Sequence, residues 1–229
     1  MEFNNEWSIK KINKKTGLII DENGDDYFGN NILQDKDKSN KSARFYYFKD
    51  KFLKNAQIFL EKPTHNVGYY ISQWRHGSQH YDDPLTRKII QNKRTDNSVV
   101  SWSLAKLMEK QIFEKNLGTF DCIIPVPNFN PNDVCGGVSI GIELAKILEI
   151  ECYPNALKKR WRLKGRWVSP HDWDNMHLYW LENDTQFTGM NVLLVDDIQT
   201  RGCTRKQCIS QIARSKPKNI EFMVVGITS

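Results

Sequence analysis

Asp196 and Asp197 stand side by side in the stretch VDDIQTRGCT, Val195 to Thr204, with Thr200, Gly202 and Thr204 close behind. Two adjacent carboxylates accept hydrogen bonds from a diol such as ribose. Gly202 lets backbone approach an anion closely, and Thr200 and Thr204 add hydroxyl donors. The apolar run before them, NVLLV (Asn191 to Val195), has the texture of a buried strand, and a helix is expected to start near Cys203. Ligands of parallel α/β sheets bind at the carboxyl ends of strands. A helix start adds unpaired N–H groups and the positive end of a dipole. The chemistry is that of a sugar phosphate, with acids on the sugar and a loop on the phosphate. The same residues also suit a plain strand-to-helix turn whose aspartates cap the helix. Arg201 sits inside the cradle, where it either pairs with a phosphate or fills the space with its bulk.

From Tyr81 onward the chain reads as α/β. Asp83-Pro84 is a helix start with proline in the first turn. Val100, Leu104, Leu107, Met108 and Ile112 form a helical stripe. DCIIPVP, Asp121 to Pro127, reads as a short buried strand and a turn. Ile140, Leu144, Ile147 and Leu148 mark the next helix, and Cys208, Ile209 and Ile212 share one helical face. EFMVVGI, Glu221 to Ile227, closes the chain as a strand. Strands alternating with helices predict a mostly parallel sheet.

Upstream the texture is different. Trp7, Ile9 and Ile12 stand among lysines, GLII (Gly17 to Ile20) leads to the turn signal Asn23-Gly24, and Asp26 to Phe28 follows. After the polar run Gln34 to Ser42, RFYYF (Arg44 to Phe48) and QIFLE (Gln57 to Glu61) read as further strands. Short strands so spaced predict a small all-β barrel over residues 1–62. Pro63 to His80 reads as a linker, and its His65, His76 and His80 lack metal-pair spacing. Residues 81–229 form the second domain.

Composition narrows the classes. The chain has 229 residues, a net charge of +6 and 39% hydrophobic residues. A basic chain favours polyanionic partners, nucleic acid or a phosphorylated small molecule. Met1 to Asn5 opens no signal peptide, and no apolar run is long enough to span a bilayer. A cytoplasmic protein is expected. The five cysteines, Cys122, Cys135, Cys152, Cys203 and Cys208, form no C-x-x-C pair, so neither a disulfide framework nor a structural zinc site is expected.

VLLVDDIQTRGCT, Val192 to Thr204, resembles the phosphoribosyl pyrophosphate signature of type I phosphoribosyltransferases. The resemblance implies a phosphoribosyltransferase-like α/β fold in which Asp196 and Asp197 hold the ribose hydroxyls. The loop of Thr200, Arg201, Gly202, Cys203 and Thr204 would wrap the sugar phosphate, and Mg²⁺ would accompany the pyrophosphate. Tyr81-Asp82-Asp83-Pro84-Leu85, Ile89-Ile90-x-x-Lys93 and FDCIIPVP (Phe120 to Pro127) resemble the ComF-like branch, over about Tyr81 to Thr228. Pro127 and Asn128 match its pyrophosphate loop. The chain departs from the family in Arg201 and in Asn128, Phe129, Asn130 and Pro131, where basic residues usually follow. Its zinc-binding cysteine pairs are also absent. These departures favour binding of the sugar phosphate over rapid turnover.

Trp7 to Phe28 and Phe52 to Glu61 resemble the first and last strands of a cold-shock domain, an OB-like barrel that binds single-stranded nucleic acid through aromatics. Trp7, Lys10 and Tyr27 are the candidate contacts, while Leu18, Ile19 and Ile20 stand where that family carries more aromatics. A second basic-aromatic segment, LKKRWRLKGRW (Leu157 to Trp167), follows a short strand and holds Arg160, Trp161 and Arg162. In the transferase family this region is a loop over the substrate; its composition also suits nucleic acid or a plain solvated loop. Three functions are therefore expected to compete. One is a phosphoribosyltransferase acting on a base-like acceptor and coupled to single-stranded nucleic acid. Another is a weak or inactive transferase domain serving as a nucleic-acid sensor in competence, nucleic-acid processing or bacterial defence. The third is a scaffold in which both domains are vestigial.

Overall fold

The computed structural model describes residues 11–13, 18–20, 56–72, 79–95, 97–127, 136–159, 179–181, 183 and 186–228. The chain divides into two compact units. In the first, strands β1 (Lys11–Asn13) and β2 (Leu18–Ile20) pair antiparallel, with Ile12 opposite Ile19. These are two of the strands expected for the amino-terminal barrel. The other residues before Gln57 read from the sequence as barrel strands, and Trp7, Lys10 and Tyr27, lie outside the described residues.

The second unit is built on a parallel sheet. In chain order its elements are β3 (Thr64–Tyr70), α1 (Gln79–Asp82), α2 (Pro84–Arg94), α3 (Ser98–Glu114), β4 (Cys122–Pro125), α4 (Gly137–Leu148) and β5 (Glu151–Cys152). Then come β6 (Leu157–Lys159), β7 (Tyr179–Leu181), β8 (Asn191–Gln199), α5 (Cys203–Ile212), a turn of 3₁₀ helix (Ala213–Ser215) and β9 (Asn219–Thr228). Five strands lie in the order β3-β9-β8-β4-β5 and every pairing is parallel. β6 and β7 form a separate antiparallel ribbon, Lys159 opposite Tyr179.

Local chemistry fixes the helix starts. The Asp83 carboxylate accepts from the Thr86 N–H at 2.6 Å with Pro84 in the first turn, as the sequence predicts. The Asn97 side chain accepts from the N–H groups of Val99 and Val100. On one face of the sheet, Ile123, Leu193, Val195, Met223 and Val225 pack with Ile89 of α2, Leu104, Met108 and Ile112 of α3, and Ile140 and Leu144 of α4. The alternate residues Cys122, Ile124, Val192, Leu194, Phe222 and Val224 are buried too, so by the two-residue period the opposite face is also covered. On that side α5 buries Cys208, Ile209 and Ile212 and lies beside β7 and β8.

The structure corrects several sequence readings. Gln57 to Glu61, expected as the last barrel strand, is helical instead: residues 56–60 form a helical turn that Glu61 follows. The Glu61 N–H donates to the Gln57 carbonyl at 3.0 Å, and the Gln57 amide to the Glu61 carboxylate at 3.0 Å. Ala56, Phe59 and Leu60 are at least partly buried at helical spacing, while Ile58 is exposed. Thr64–Tyr70, expected as part of a linker, is the edge strand β3; a Cβ on Gly68 would stand 2.8 Å from Leu85 Cδ2. Leu157–Lys159, read as the start of a basic loop, is strand β6. Finally, β8 runs on through Asp196 and Asp197 to Gln199, so the acidic pair lies inside the strand.

Candidate functional site

The connections define where a ligand fits. From β4 the chain passes through α4 to β5 on one side, and β8 lies on the other side of β4. Such a reversal leaves a crevice outside the carboxyl ends of the two strands. Pro125 pairs with Val195, and the Val126 N–H donates to the Val195 carbonyl at 2.8 Å. Val126 and Pro127 therefore leave β4 beside the point where Asp196 and Asp197 continue β8.

A strand turns successive side chains to opposite faces, and the acidic pair follows this rule. Asp197 continues the row of Leu193 and Val195 toward α2 and has only 7% of its surface exposed. There it meets Lys93 of the last turn of α2, with Nζ 3.0 Å from Oδ2. Burial works against the Lys93 ammonium, but the Asp197 charge and hydrogen bond, helped by Asp196 and Tyr70, hold it above the usual lysine range. Asp196 continues the other row, and the Asp197 N–H donates to its Oδ1 at 2.9 Å. Burial and the neighbouring Asp197 charge push the Asp196 carboxyl up to about 8, against opposition from Lys93, that hydrogen bond and Lys159.

On the Asp196 side, burial lowers the Lys159 ammonium and pushes the Tyr179 phenol well up. The Lys159 Nζ stands 5.6 Å from the Tyr179 ring centroid, within reach of a cation–π contact. Tyr179 also hydrogen-bonds the Thr204 side chain. The β6–β7 ribbon is thereby fastened to the first turn of α5.

The loop after β8 has the expected form. Gly202 adopts φ 77°, ψ 2°, the left-handed conformation that glycine takes without strain, and α5 starts at Cys203. Thr200 and Arg201 are exposed; Gly202, Cys203 and Thr204 are half-buried. Arg201 therefore lies at the surface and its bulk does not fill the loop. Three residues past Gly202, Arg205 reaches back to the carbonyls of Phe59, Leu60 and Lys62.

Of the candidates drawn from the sequence, the structure gathers Asp196, Asp197, Gly202, Cys203, Thr204 and Pro127 at this crevice, with Thr200 and Arg201 at its surface. Asn128, Trp7, Lys10, Tyr27, Arg160, Trp161 and Arg162 lie outside the described residues. Lys93, Lys159, Tyr179, Asn92 and Gly137 join the site without having been named as site residues. Asn92 locks the end of α2 to the start of α4. Its amide donates to the Gly136 carbonyl at 3.0 Å, and its Oδ1 accepts from Ser101 at 2.8 Å and Ser139 at 3.2 Å. Gly137 packs against the acidic pair itself. The signal for Lys93 was its place in the Ile89-Ile90-x-x-Lys93 motif; the other four needed tertiary contacts to be seen.

Among the described residues, no group of three or more His, Cys, Asp or Glu is gathered to hold a metal ion. His65 instead meets Glu221 at 3.1 Å, in a cluster with Lys62 and Asn219 at the start of β9. Cys122, Cys152, Cys203 and Cys208 are all free thiols. No described helix is long and apolar enough to cross a membrane.

No family model matches the sequence, and no curated protein matches it. Solved structures that are similar in part include two adenine phosphoribosyltransferases. One is adenine phosphoribosyltransferase from Saccharomyces cerevisiae complexed with D-2,5-dideoxy-2,5-imino-altritol 1,6-bisphosphate and adenine. It is 19% identical, with a TM-score of 0.42, over 58% of this chain and 70% of that one. The other, also an adenine phosphoribosyltransferase, is 18% identical, with a TM-score of 0.42, over 58% of this chain and 72% of that one.

Proposed function

We propose that this chain is a phosphoribosyltransferase-like protein. It binds phosphoribosyl pyrophosphate through its ribose and 5-phosphate and transfers the phosphoribosyl group to or from a base-like acceptor. The observation that carries this reading is the position of Asp196 and Asp197. They stand near the end of β8, beside β4, and Ile198 and Gln199 lead on to a loop whose Gly202 opens α5. Acids for a diol and a helix start for a phosphate follow one another in a few residues. The signature resemblance of Val192 to Thr204 supports the same assignment.

In this reading Asp196 and Asp197 orient the ribose, and the backbone and hydroxyls of residues 200–204 hold the 5-phosphate. As pyrophosphate leaves, the anomeric carbon gains oxocarbenium character, which Asp197 stabilises by its charge. Catalysis is positioning and electrostatics. Mg²⁺ keeps several waters and needs one or two carboxylates plus substrate phosphates, and Asp196 and Asp197 are carboxylates of the kind that need calls for. On this chain Asp196 and Asp197 would be the residues to hold it, and when bound it would supply charge neutralisation for the leaving pyrophosphate.

A second reading, a site that binds the sugar phosphate without turnover, is favoured by the Lys93–Asp197 ion pair, which engages the charged acid internally. Single-stranded nucleic acid as a further partner is supported by sequence alone: the net charge of +6, Trp7, Lys10 and Tyr27, and Arg160, Trp161 and Arg162. Its affinity should fall steeply with salt; a flat response sinks that part.

Thermal melting with Mg²⁺ and phosphoribosyl pyrophosphate tests the main proposal. At a ligand concentration of about 100 Kd, stabilisation of about 2.7 kcal/mol is expected; an unchanged melting curve at millimolar ligand contradicts it. Pyrophosphate release in the presence of bases then separates transfer from binding alone.

A further inference from the structure

The ion pair between Lys93 and Asp197 sets a condition on any ligand of this crevice. The Asp197 side chain is almost wholly buried, whereas that of Lys93 is 44% exposed, so the cation has room to move and the anion does not. Taking the cation from a buried carboxylate is costly unless other groups replace it. Sugar hydroxyls supply donors for Asp197. Lys93, once released, is left without its anion unless the ligand brings one. A ligand that offers hydroxyls alone therefore meets half of the requirement, and a ligand with hydroxyls and a nearby anion meets all of it.

The surroundings make Lys93 suited to the exchange. Asn92, its neighbour, ties the end of α2 to Gly136 at the start of α4 by a side-chain bond, and its carbonyl accepts from the Gly136 N–H at 3.4 Å. The root of the Lys93 side chain is thus fixed while its tip reaches the crevice. After β4 the sequence Val126, Pro127, Asn128, Phe129, Asn130, Pro131 carries no cation. The phosphate-loop side of the crevice lies at residues 200–204, on the connection to α5, whereas Lys93 comes from α2.

We infer that Lys93 selects ligands with a second anionic group away from the phosphate loop: on binding it passes from Asp197 to that group, and ribose hydroxyls take its place on Asp197. The inference rests on the ribose-phosphate reading given above. Among sugar phosphates it favours one with an anion at the anomeric position over one with the 5-phosphate alone.

Calorimetry in Mg²⁺ with phosphoribosyl pyrophosphate and with ribose 5-phosphate tests it, on the wild type, Lys93→Met, Lys93→Gln and Lys93→Arg. The wild type should prefer the pyrophosphate ligand. Lys93→Met and Lys93→Gln should cut that preference about tenfold or more, and Lys93→Arg should restore part of it. A merely structural lysine would weaken both ligands alike. If both ligands bind and the preference is the same in the wild type and in whichever neutral variant folds, Lys93 has no such role and the ribose-phosphate reading stands. If the wild type binds neither ligand, that reading falls and takes this inference with it.

Discussion

A Cβ on Gly137 would stand 3.1 Å from Oδ1 of Asp196 and 3.2 Å from its Cα. The first turn of α4 thus lies directly against the acidic pair, with space for a glycine only. Gly137→Ala must push Asp196 or α4 aside by a few tenths of an ångström. Ligand affinity should fall about tenfold, because carboxylate placement within about 0.5 Å matters for such a site. The fold should survive with a small drop in melting temperature. Calorimetry and thermal melting on the same variant check both; unchanged affinity would show that Asp196 takes no part in binding.

The Asp196 carboxyl, raised by burial and by Asp197 from 3.8 to about 8 in the folded state, makes stability depend on pH. Between about pH 4 and pH 8 the folded chain keeps a proton that the unfolded chain has lost, so stability falls as pH rises through this window. Asp196→Asn keeps the oxygen that accepts from the Asp197 N–H and removes the titration. Its melting temperature relative to the wild type should therefore increase from pH 5 to pH 8.5, by about 3 °C or more. A difference that stays constant across that range contradicts this protonation state.

Gly202 has φ 77° and open space where a Cβ would go. The cost of Gly202→Ala is therefore backbone strain alone, about 1–2 kcal/mol, or a few degrees in melting temperature. Gly202→Asn should cost less, since asparagine tolerates this conformation. Thermal melting of the two variants gives the order, and the reverse order would mean that the loop relaxes into another form.

Arg205 holds the carbonyls of Phe59, Leu60 and Lys62 with both guanidinium ends. Arg205→Ala strips these carbonyls of their donors, at about 1–3 kcal/mol. Lysine lacks the planar fork, so Arg205→Lys should rescue little. Amide exchange should speed up at residues 56–62 before the sheet is affected. Equal protection in the variant and the wild type would show that the helical turn stands by itself.

Much of this was legible in the sequence, for physical reasons. The stretch from Val192 to Thr204 is local: strand, acids, loop and helix start follow in order, and the chain can fold them in only a few ways. The α3 stripe was legible because Val100, Leu104, Met108 and Ile112 are all buried on one helical face. β3 was hidden because an edge strand carries polar residues, as Thr64, His65 and Asn66 do. Gln57 to Glu61 misled because an apolar run is shared by strands and helices, and only the spacing of Ala56, Phe59 and Leu60 told them apart. Leu157–Lys159 was masked by its two lysines, of which Lys159 feels the charge of the acidic pair. Lys93 had a local signal in the Ile89-Ile90-x-x-Lys93 motif, whereas Gly137 belongs to the site through a contact far apart in sequence, which no local pattern encodes.

The most direct test of the central claim is calorimetric titration of phosphoribosyl pyrophosphate with Mg²⁺ into the wild type and into the double variant Asp196→Asn/Asp197→Asn. Binding to the wild type and its loss in a double variant that still melts cooperatively is the predicted result. Absence of binding to the wild type, or equal binding to both proteins, would contradict a ribose-phosphate site at the end of β8.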